Sequence, residues 1–369
     1  MKEKIKKVML VFGTRPEAVK MCPLMKELKK EKEFVTICCV TGQHRQMLKQ
    51  VLQAFQVEPD YDLAIMKDRQ TLFDVTVNVL NGMKKVLEKE RPDVVLVHGD
   101  TTTAFTAGLA AFYAGIPVGH VEAGLRTYDL SAPFPEEFNR QGIGILAKYN
   151  FAPTETAKNN LIREGKEPES VFVTGNTVID ALQTTIIPEY NHPDLEWAKG
   201  SRLVLLTAHR RENLGQPLYD IFKGIKDTLD EVEDIKVIYP IHINPVVRKI
   251  AREVFGDHPR MRIIEPLDVL DFHNFMNQSY MILTDSGGIQ EEAPALGKPV
   301  LVMRNTTERP EGVEAGTIKL VGTNASVIHE EFIKLLTSYD EYIAMGKASN
   351  PYGNGTACRQ IVSILKERR

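Results

Sequence analysis

Short, solid apolar runs recur along the chain, at Val8–Phe12, Val94–Val97, Pro117–Val121, Phe151–Pro153, Val171–Thr174, Leu203–Thr207, Lys236–Pro240, Ile263–Ile264, Met281–Thr284 and Val300–Val302. Many lack the alternation of a half-exposed strand, which is the pattern of parallel strands covered on both faces. Segments with helical periodicity fall between them, for example Thr71–Lys89 and Leu218–Glu231. Cys38 and Cys39 sit next to each other on a further predicted strand, so they point to opposite faces. Strand and helix in alternation predict an α/β chain of the doubly wound kind. The rhythm breaks at Thr184–Gly200, where Pro188, Pro193 and Gly200 stand among polar residues, and a linker or surface excursion is expected there. The expected organisation is two Rossmann-like halves, residues 1–175 and 176–353. A length of 369 residues exceeds one ordinary core and agrees with two domains. No short-period repeat and no low-complexity tract interrupts this pattern.

Composition narrows the class. Hydrophobic residues at 43% and charged residues at 26% are those of a globular protein. A formal net charge of -3 argues against a binder held to nucleic acid by electrostatics. The lysine-rich start followed by Val8–Phe12 imitates a signal peptide, but the apolar run is short and Arg15 and Glu17 follow at once. No apolar stretch reaches membrane-spanning length, so no membrane partner is expected. Cys22, Cys38, Cys39 and Cys358 form no C-x-x-C pair and read as reduced thiols of a cytoplasmic protein.

In doubly wound sheets ligands bind beyond the carboxyl ends of the strands, so the polar residues there carry the chemistry. The most informative run is Thr284-Asp285-Ser286-Gly287-Gly288-Ile289-Gln290-Glu291-Glu292, a strand end leading into a helix. Its glycines allow a tight turn and close approach of a ligand, and helix-start amides favour a phosphate. Glu292, one turn in, is placed to accept from the hydroxyls of a ribose. A plain Ser-Gly-Gly turn capping a helix is the alternative. In Gly13-Thr14-Arg15-Pro16-Glu17-Ala18, Thr14 and Glu17 have capping-box spacing, and Arg15 and Lys20 set positive charge beside the helix start, suited to a diphosphate. Asp100 in His98-Gly99-Asp100-Thr101 follows a buried strand, as a functional carboxylate or as a helix cap. Glu122 and Arg126 follow the next strand, with a plain ion pair as the bland alternative. Glu136 and Glu137 follow rigid prolines. Three carboxylate clusters at strand ends of one domain point to general acid/base work. In the second half His209-Arg210-Arg211-Glu212 follows a solid strand and suits an anionic leaving group, and Arg309 adds a cation beyond a further strand.

Several motifs are discounted. His120-Val121-Glu122 imitates the H-x-E of zinc deaminases without their P-C-x-x-C. Asp60-Tyr61-Asp62 imitates a metal-binding D-x-D, but after Pro59 a surface turn is expected. No pair of histidines four apart suggests zinc. Neither G-x-G-x-x-G nor G-x-x-x-x-G-K is present, so no dinucleotide or P-loop nucleotide is predicted.

Over nearly its whole length the chain resembles the non-hydrolysing bacterial UDP-N-acetylglucosamine 2-epimerases. The resemblance is carried by Gly13 through Ala18, His98 through Thr103, Gly119 through Thr127, Thr174-Gly175-Asn176-Thr177, His209 through Glu212, Thr284 through Pro294 and Asn350-Pro351-Tyr352-Gly353. It implies two Rossmann-like domains facing across a cleft, the GT-B arrangement, with a last helix from about residue 354 to 369 packing back onto the first domain. It implies UDP-N-acetylglucosamine as substrate and as a second, activating ligand. Ser286, Gly287 and Gly288 are then expected at the diphosphate, Glu292 at the ribose, Phe272 at the uracil, and Arg15, Lys20 and Arg309 at the phosphates. Asp100, Glu122, Glu136 and His209 match catalytic positions. Gln43, Gln46, Arg69, Arg210 and His242 match the activator site, which His44 and Arg45 adjoin. No cofactor or metal is implied, and a homodimer feeding envelope polysaccharide synthesis is. Ala132, Gln141 through Gly144 and Leu267 depart from the commoner family pattern. Other readings are a GT-B glycosyltransferase, a hydrolysing epimerase, and a silent UDP-sugar sensor.

Overall fold

The computed structural model describes residues 5–42, 45–66 and 70–368, with the side chains of 45–47 outside that description. The chain forms two compact units, Met1–Thr184 with Tyr352–Arg369, and Thr185–Pro351.

The first unit runs β1 (Lys6–Phe12), α1 (Arg15–Lys29), β2 (Phe34–Val40), α2 (Arg45–Ala54), β3 (Tyr61–Asp62), α3 (Leu72–Glu90), β4 (Val94–His98), α4 (Thr102–Tyr113), β5 (Val118–Val121), α5 (Glu136–Leu146), β6 (Tyr149–Ala152), α6 (Glu155–Arg163), β7 (Val171–Val173) and α7 (Thr177–Thr185). Its strands form one parallel sheet in the order β3-β2-β1-β4-β5-β6-β7. Val8 to Phe12 and Val94 to Val97 are fully buried, which is why these strands read as solid apolar runs. Cys38 and Cys39 are both buried although they face opposite ways, because both faces of the sheet are covered.

The second unit contains α8 (Pro193–Ala198), β8 (Arg202–Thr207), α9 (Gln216–Glu231), β9 (Ile235–Pro240), α10 (Pro245–Phe255), β10 (Met261–Ile264), α11 (Val269–Gln278), β11 (Met281–Thr284), α12 (Ile289–Ala295), β12 (Val300–Val302), α13 (Pro310–Glu314), β13 (Ile318–Leu320), α14 (Ala325–Thr337) and α15 (Tyr339–Lys347). Its parallel sheet has the order β10-β9-β8-β11-β12-β13. The chain then returns to the first unit as α16 (Ala357–Glu367). There the Asp180 carboxylate accepts the N–H groups of Ala357 (3.2 Å) and Cys358 (2.9 Å), and Lys6 Nζ donates to the Leu365 carbonyl (3.2 Å). Asp180 lies on α7, so that helix stays with the first unit and the crossing lies past position 175.

Both sheets are doubly wound. Strand order reverses between β1 and β4 in the first unit and between β8 and β11 in the second. Those switch points open a crevice beyond the strand ends. The expected turn at Tyr61-Asp62 is instead a short edge strand, with Cys39 opposite Tyr61 in the ladder. The expected excursion at Thr184–Gly200 carries α8, which His192 caps by accepting from the Asp194 N–H (3.2 Å). Among the described residues no helix is long and apolar enough to cross a membrane.

Candidate active site

At the switch point of the first unit, β1 ends at Gly13, where a Cβ would lie 2.0 Å from Thr41 Oγ1, so only glycine fits. Thr14 caps α1 and Glu17 completes the capping box. The buried Glu17 carboxylate accepts the N–H groups of Gly13 (3.0 Å) and Thr14 (2.8 Å) and the hydroxyl of Thr101 (2.7 Å). It thereby fastens the end of β1 to the segment that follows β4. Burial raises its pKa above the usual carboxylate range, and these hydrogen bonds oppose the rise.

Asp100 follows β4. Thr101, not Asp100, caps α4, accepting from the Ala104 N–H at 3.0 Å, so the capping alternative for Asp100 is excluded. Asp100 instead meets Arg140 of α5 at 2.5 Å, while Asn139 holds its backbone carbonyl at 2.9 Å. Burial raises the Asp100 pKa, Arg140 opposes the rise, and Glu122 and Glu136 reinforce it. Glu122 and Glu136 are therefore both electrostatic neighbours of Asp100. Glu137, next to Glu136, serves the backbone instead, being buried and accepting the N–H groups of Thr127 and Tyr128, both at 3.0 Å.

Glu122 follows β5 with φ at +64°. A side chain in that left-handed region is strained by about 1 kcal/mol or more, and such strain gathers at functional sites. Its carboxylate engages Lys20 directly, accepts from Asn176 Nδ2 at 2.9 Å, and lies 3.5 Å from His98 Nε2. Gly99 leaves room for it, since a Cβ there would be 3.2 Å from Glu122 Oε2. Lys20, expected at a phosphate, thus also meets a catalytic candidate. Arg126 does not pair with Glu122; it binds Glu164 at 2.8 Å. Arg15 stands half-buried at the first position of α1. Burial pushes His98 down to about 4 and His120 down to about 3, so both are neutral imidazoles at pH 7. His120 Nε2 lies 2.7 Å from the Gly99 carbonyl, a structural contact.

At the switch point of the second unit, Asp285 follows β11 directly and is fully buried. Its Oδ2 accepts from the N–H groups of His209 and Arg210, both at 2.8 Å, and from Asn213 Nδ2 at 3.1 Å. His209 is also stacked on His242, with ring centroids 5.1 Å apart and planes 6° apart. Burial lowers the His209 pKa and Asp285 opposes this, while His242 and Arg210 add to it. Arg210, His209 and His242 therefore form one group. Gln43, His44 and Arg69 lie outside the described residues, as do the side chains of Arg45 and Gln46.

The Ser286–Gly288 turn uses its glycines for space. Neither Gly287 nor Gly288 has a positive φ; instead a Cβ on Gly287 would lie 2.6 Å from Arg309 Nη1 and 2.8 Å from Glu308 Oε1. Helix α12 has no side-chain cap. Around the turn Arg309 binds Glu291 (2.6 Å) and Glu308 (2.9 Å), and Arg304 binds Glu308 (2.8 Å). Burial raises Glu308, but Arg309 and Arg304 outweigh it and hold its carboxyl at about 2. Glu292 lies 3.5 Å from His273 Nε2, whose Nδ1 is 2.7 Å from the Thr185 hydroxyl. Phe272, beside His273 on α11, is half-buried. Among the described residues no group of three or more His, Cys, Asp or Glu is arranged to hold a metal ion.

Sequence reasoning passed over Arg140, Asn176, His98 and Asn213, which act through contacts distant in sequence, and Glu308, which pairs with its neighbours Arg304 and Arg309. Asp285 was within reach, because a carboxylate directly after a solid strand is the signal that singled out Asp100.

The family model described as UDP-N-acetylglucosamine 2-epimerase matches residues 26–366. The chain is 59% identical over 359 residues to the UDP-N-acetylglucosamine 2-epimerase of Bacillus subtilis, covering 97% of this chain and 94% of that one. Among solved structures, S. aureus MnaA in its co-structure with UDP is 50% identical, with a TM-score of 0.89 and 98% and 96% of the two chains covered. The UDP-GlcNAc 2-epimerase of Neisseria meningitidis bound to UDP-GlcNAc is 47% identical, with a TM-score of 0.88 and 98% and 100% covered.

Proposed function

Because the chain belongs to the UDP-N-acetylglucosamine 2-epimerase family and is an epimerase of that sugar nucleotide, we propose that it works by eliminating UDP and adding it back. The C2 proton of the sugar is not beside a carbonyl, so its direct removal is difficult. When the C1–O bond to UDP breaks, the bonding pair leaves with UDP and positive charge at C1 acidifies C2. A carboxylate then takes the C2 proton, giving 2-acetamidoglucal and UDP. Protonation of C2 on the other face and return of the UDP oxygen to C1 give UDP-N-acetylmannosamine.

The observation that carries this reading is the carboxylate group of the first unit. Asp100 feels the charges of both Glu122 and Glu136, and Glu122 is held in a strained backbone state. Asp100, kept above the usual carboxylate range by burial, and Glu122, held by a cation, are a pair whose environments differ, as acid and base roles require. In the second unit Ser286, Gly287 and Gly288 hold the diphosphate, with Arg309 beside them; Arg15 is a further phosphate-binding cation. Glu292 takes the ribose and Phe272 the uracil. His209 stabilises the departing UDP. The bound UDP and UDP-GlcNAc of the S. aureus and Neisseria meningitidis structures support this ligand for the present chain.

A second UDP-N-acetylglucosamine, acting as activator, is assigned to Arg210 and His242 together with Gln43, Gln46 and Arg69. The enzyme acts as a cytoplasmic homodimer and supplies a precursor of cell-envelope polysaccharide. Positional isotope exchange tests the mechanism. With 18O between C1 and the β-phosphorus, cleavage of C1–O scrambles the label into the non-bridging β-phosphate oxygens. Epimerisation with the label left in the bridge and no 2-acetamidoglucal formed excludes elimination.

A further inference from the structure

The buried carboxylate at the end of β11 is not used by the mechanism above. Asp285 is 0% exposed, and its Oδ2 is fixed by three donors, the N–H groups of His209 and Arg210 and the Asn213 amide. Its Oδ1 is buried and has no hydrogen-bond partner among the described residues. That oxygen lies 3.8 Å from Nδ1 of His209. An unpartnered carboxylate oxygen in a protein interior is costly and calls for an explanation. A small imidazole rotation that shortens the separation by about 1 Å makes a charge-assisted hydrogen bond.

We infer that Asp285 is the positioning carboxylate of His209, holding a proton on Nδ1 and leaving Nε2 as the nitrogen that meets the ligand. The inference rests on the reading of His209 as the group that serves the departing diphosphate. It extends that reading by explaining how a half-exposed imidazole among cations stays oriented, with a proton on Nδ1. The groups around His209 are otherwise unhelpful to an imidazolium. Arg210 adjoins it on its own segment and His242 stacks on its face from the loop after β9. Tyr239 of β9 donates its hydroxyl to the Ala208 carbonyl at 2.6 Å and is neutral, its pKa raised by burial. Asp285 is the anion that faces the ring. It does not touch the substrate; it sets the tautomer, orientation and charge of a residue that does.

The test uses the full-length protein with 15N-labelled histidine, the His209 signals being assigned by their loss in His209→Gln. In the wild type the neutral His209 ring carries its proton on Nδ1; the Nε2–H tautomer overturns the inference without any variant. In Asp285→Asn the His209 titration midpoint moves down by about one pH unit or more. The alkaline limb of kcat moves down with it, and kcat at neutral pH falls on the order of 100-fold, while UDP affinity stays within about threefold of wild type, the range of context scatter. An unchanged midpoint and pH profile in a folded Asp285→Asn protein also overturns it. Wild-type turnover by His209→Gln removes His209 from the mechanism, while the tautomer and midpoint still decide whether Asp285 governs the ring.

Discussion

Replacing Lys20 by methionine removes the cation from Glu122 and keeps most of the side-chain volume. The two side chains are only 15% and 10% exposed, so the pair is not a surface ion pair worth under about 1 kcal/mol. Asn176 and His98 do not replace the charge. Asn176 is a neutral donor at 2.9 Å, and His98 at 3.5 Å is neutral because burial pushes it down to about 4. Removing one partner of a buried pair costs about 3–5 kcal/mol. Both groups retain some water, so the lower end applies, and Lys20→Met is expected to lose about 3 kcal/mol. Glu122→Gln removes the anion that Lys20 binds and is expected to lose about 3 kcal/mol, while the double variant, with neither charge, loses about 3 kcal/mol in total. The coupling is then about 3 kcal/mol, measured by urea unfolding at pH 7 on the transition belonging to the first unit. Turnover falls in all three variants, with UDP affinity nearly unchanged. Additive losses, within about 0.5 kcal/mol, refute the pairing. Full turnover with weakened UDP binding returns Lys20 to the phosphates.

Buried histidines give a pH prediction. The folded pKa values of His98 and His120, about 4 and about 3, lie below the ordinary 6.5, so between pH 6.5 and 4 the unfolded chain binds more protons. Stability is therefore lost as pH falls, with a slope near 1.4 kcal/mol per pH unit for each histidine, and His120→Asn flattens the measured slope by about one proton. The raised carboxyls of Glu17, Asp100 and Asp180 act in the opposite sense, so the comparison with the variant is the informative quantity. Gly124→Ala destabilises by roughly 2–4 kcal/mol, since φ is +90° and the new Cβ lies 2.1 Å from the Ala157 carbonyl oxygen. Gly115→Ala, at φ +68° with open space around it, loses only about 1 kcal/mol in the same thermal or urea assay. Arg309→Gln weakens UDP binding about tenfold or more by calorimetry, because it removes a charge-assisted contact beside Gly287; unchanged affinity removes Arg309 from the diphosphate site.

The strands were legible because a sheet buried on both faces demands solid apolar runs, and β1, β4 and β8 are such runs. The edge strands β3 and β13 were not, since two or three residues carry too little pattern. The strand-end rule led to Asp100, Glu122, His209 and the Ser286 turn because topology puts strand ends at a switch point. It did not reveal who partners whom. Glu122 takes Lys20, distant in sequence, and Arg126 takes Glu164; such choices are made by packing. The glycines at 287 and 288 do stand in a turn, but neither has a positive φ, and a Cβ on Gly287 would crowd Arg309 Nη1 and Glu308 Oε1.

The central claim is that C2–H is cleaved and remade while the sugar stays a sugar nucleotide. Proton NMR of the purified protein with UDP-N-acetylglucosamine in deuterium oxide tests it directly. The expected result is loss of the C2 proton signal as UDP-N-acetylmannosamine grows in carrying deuterium at C2, with no free sugar. Epimer formed with its C2 proton retained, or release of free N-acetylmannosamine, contradicts it.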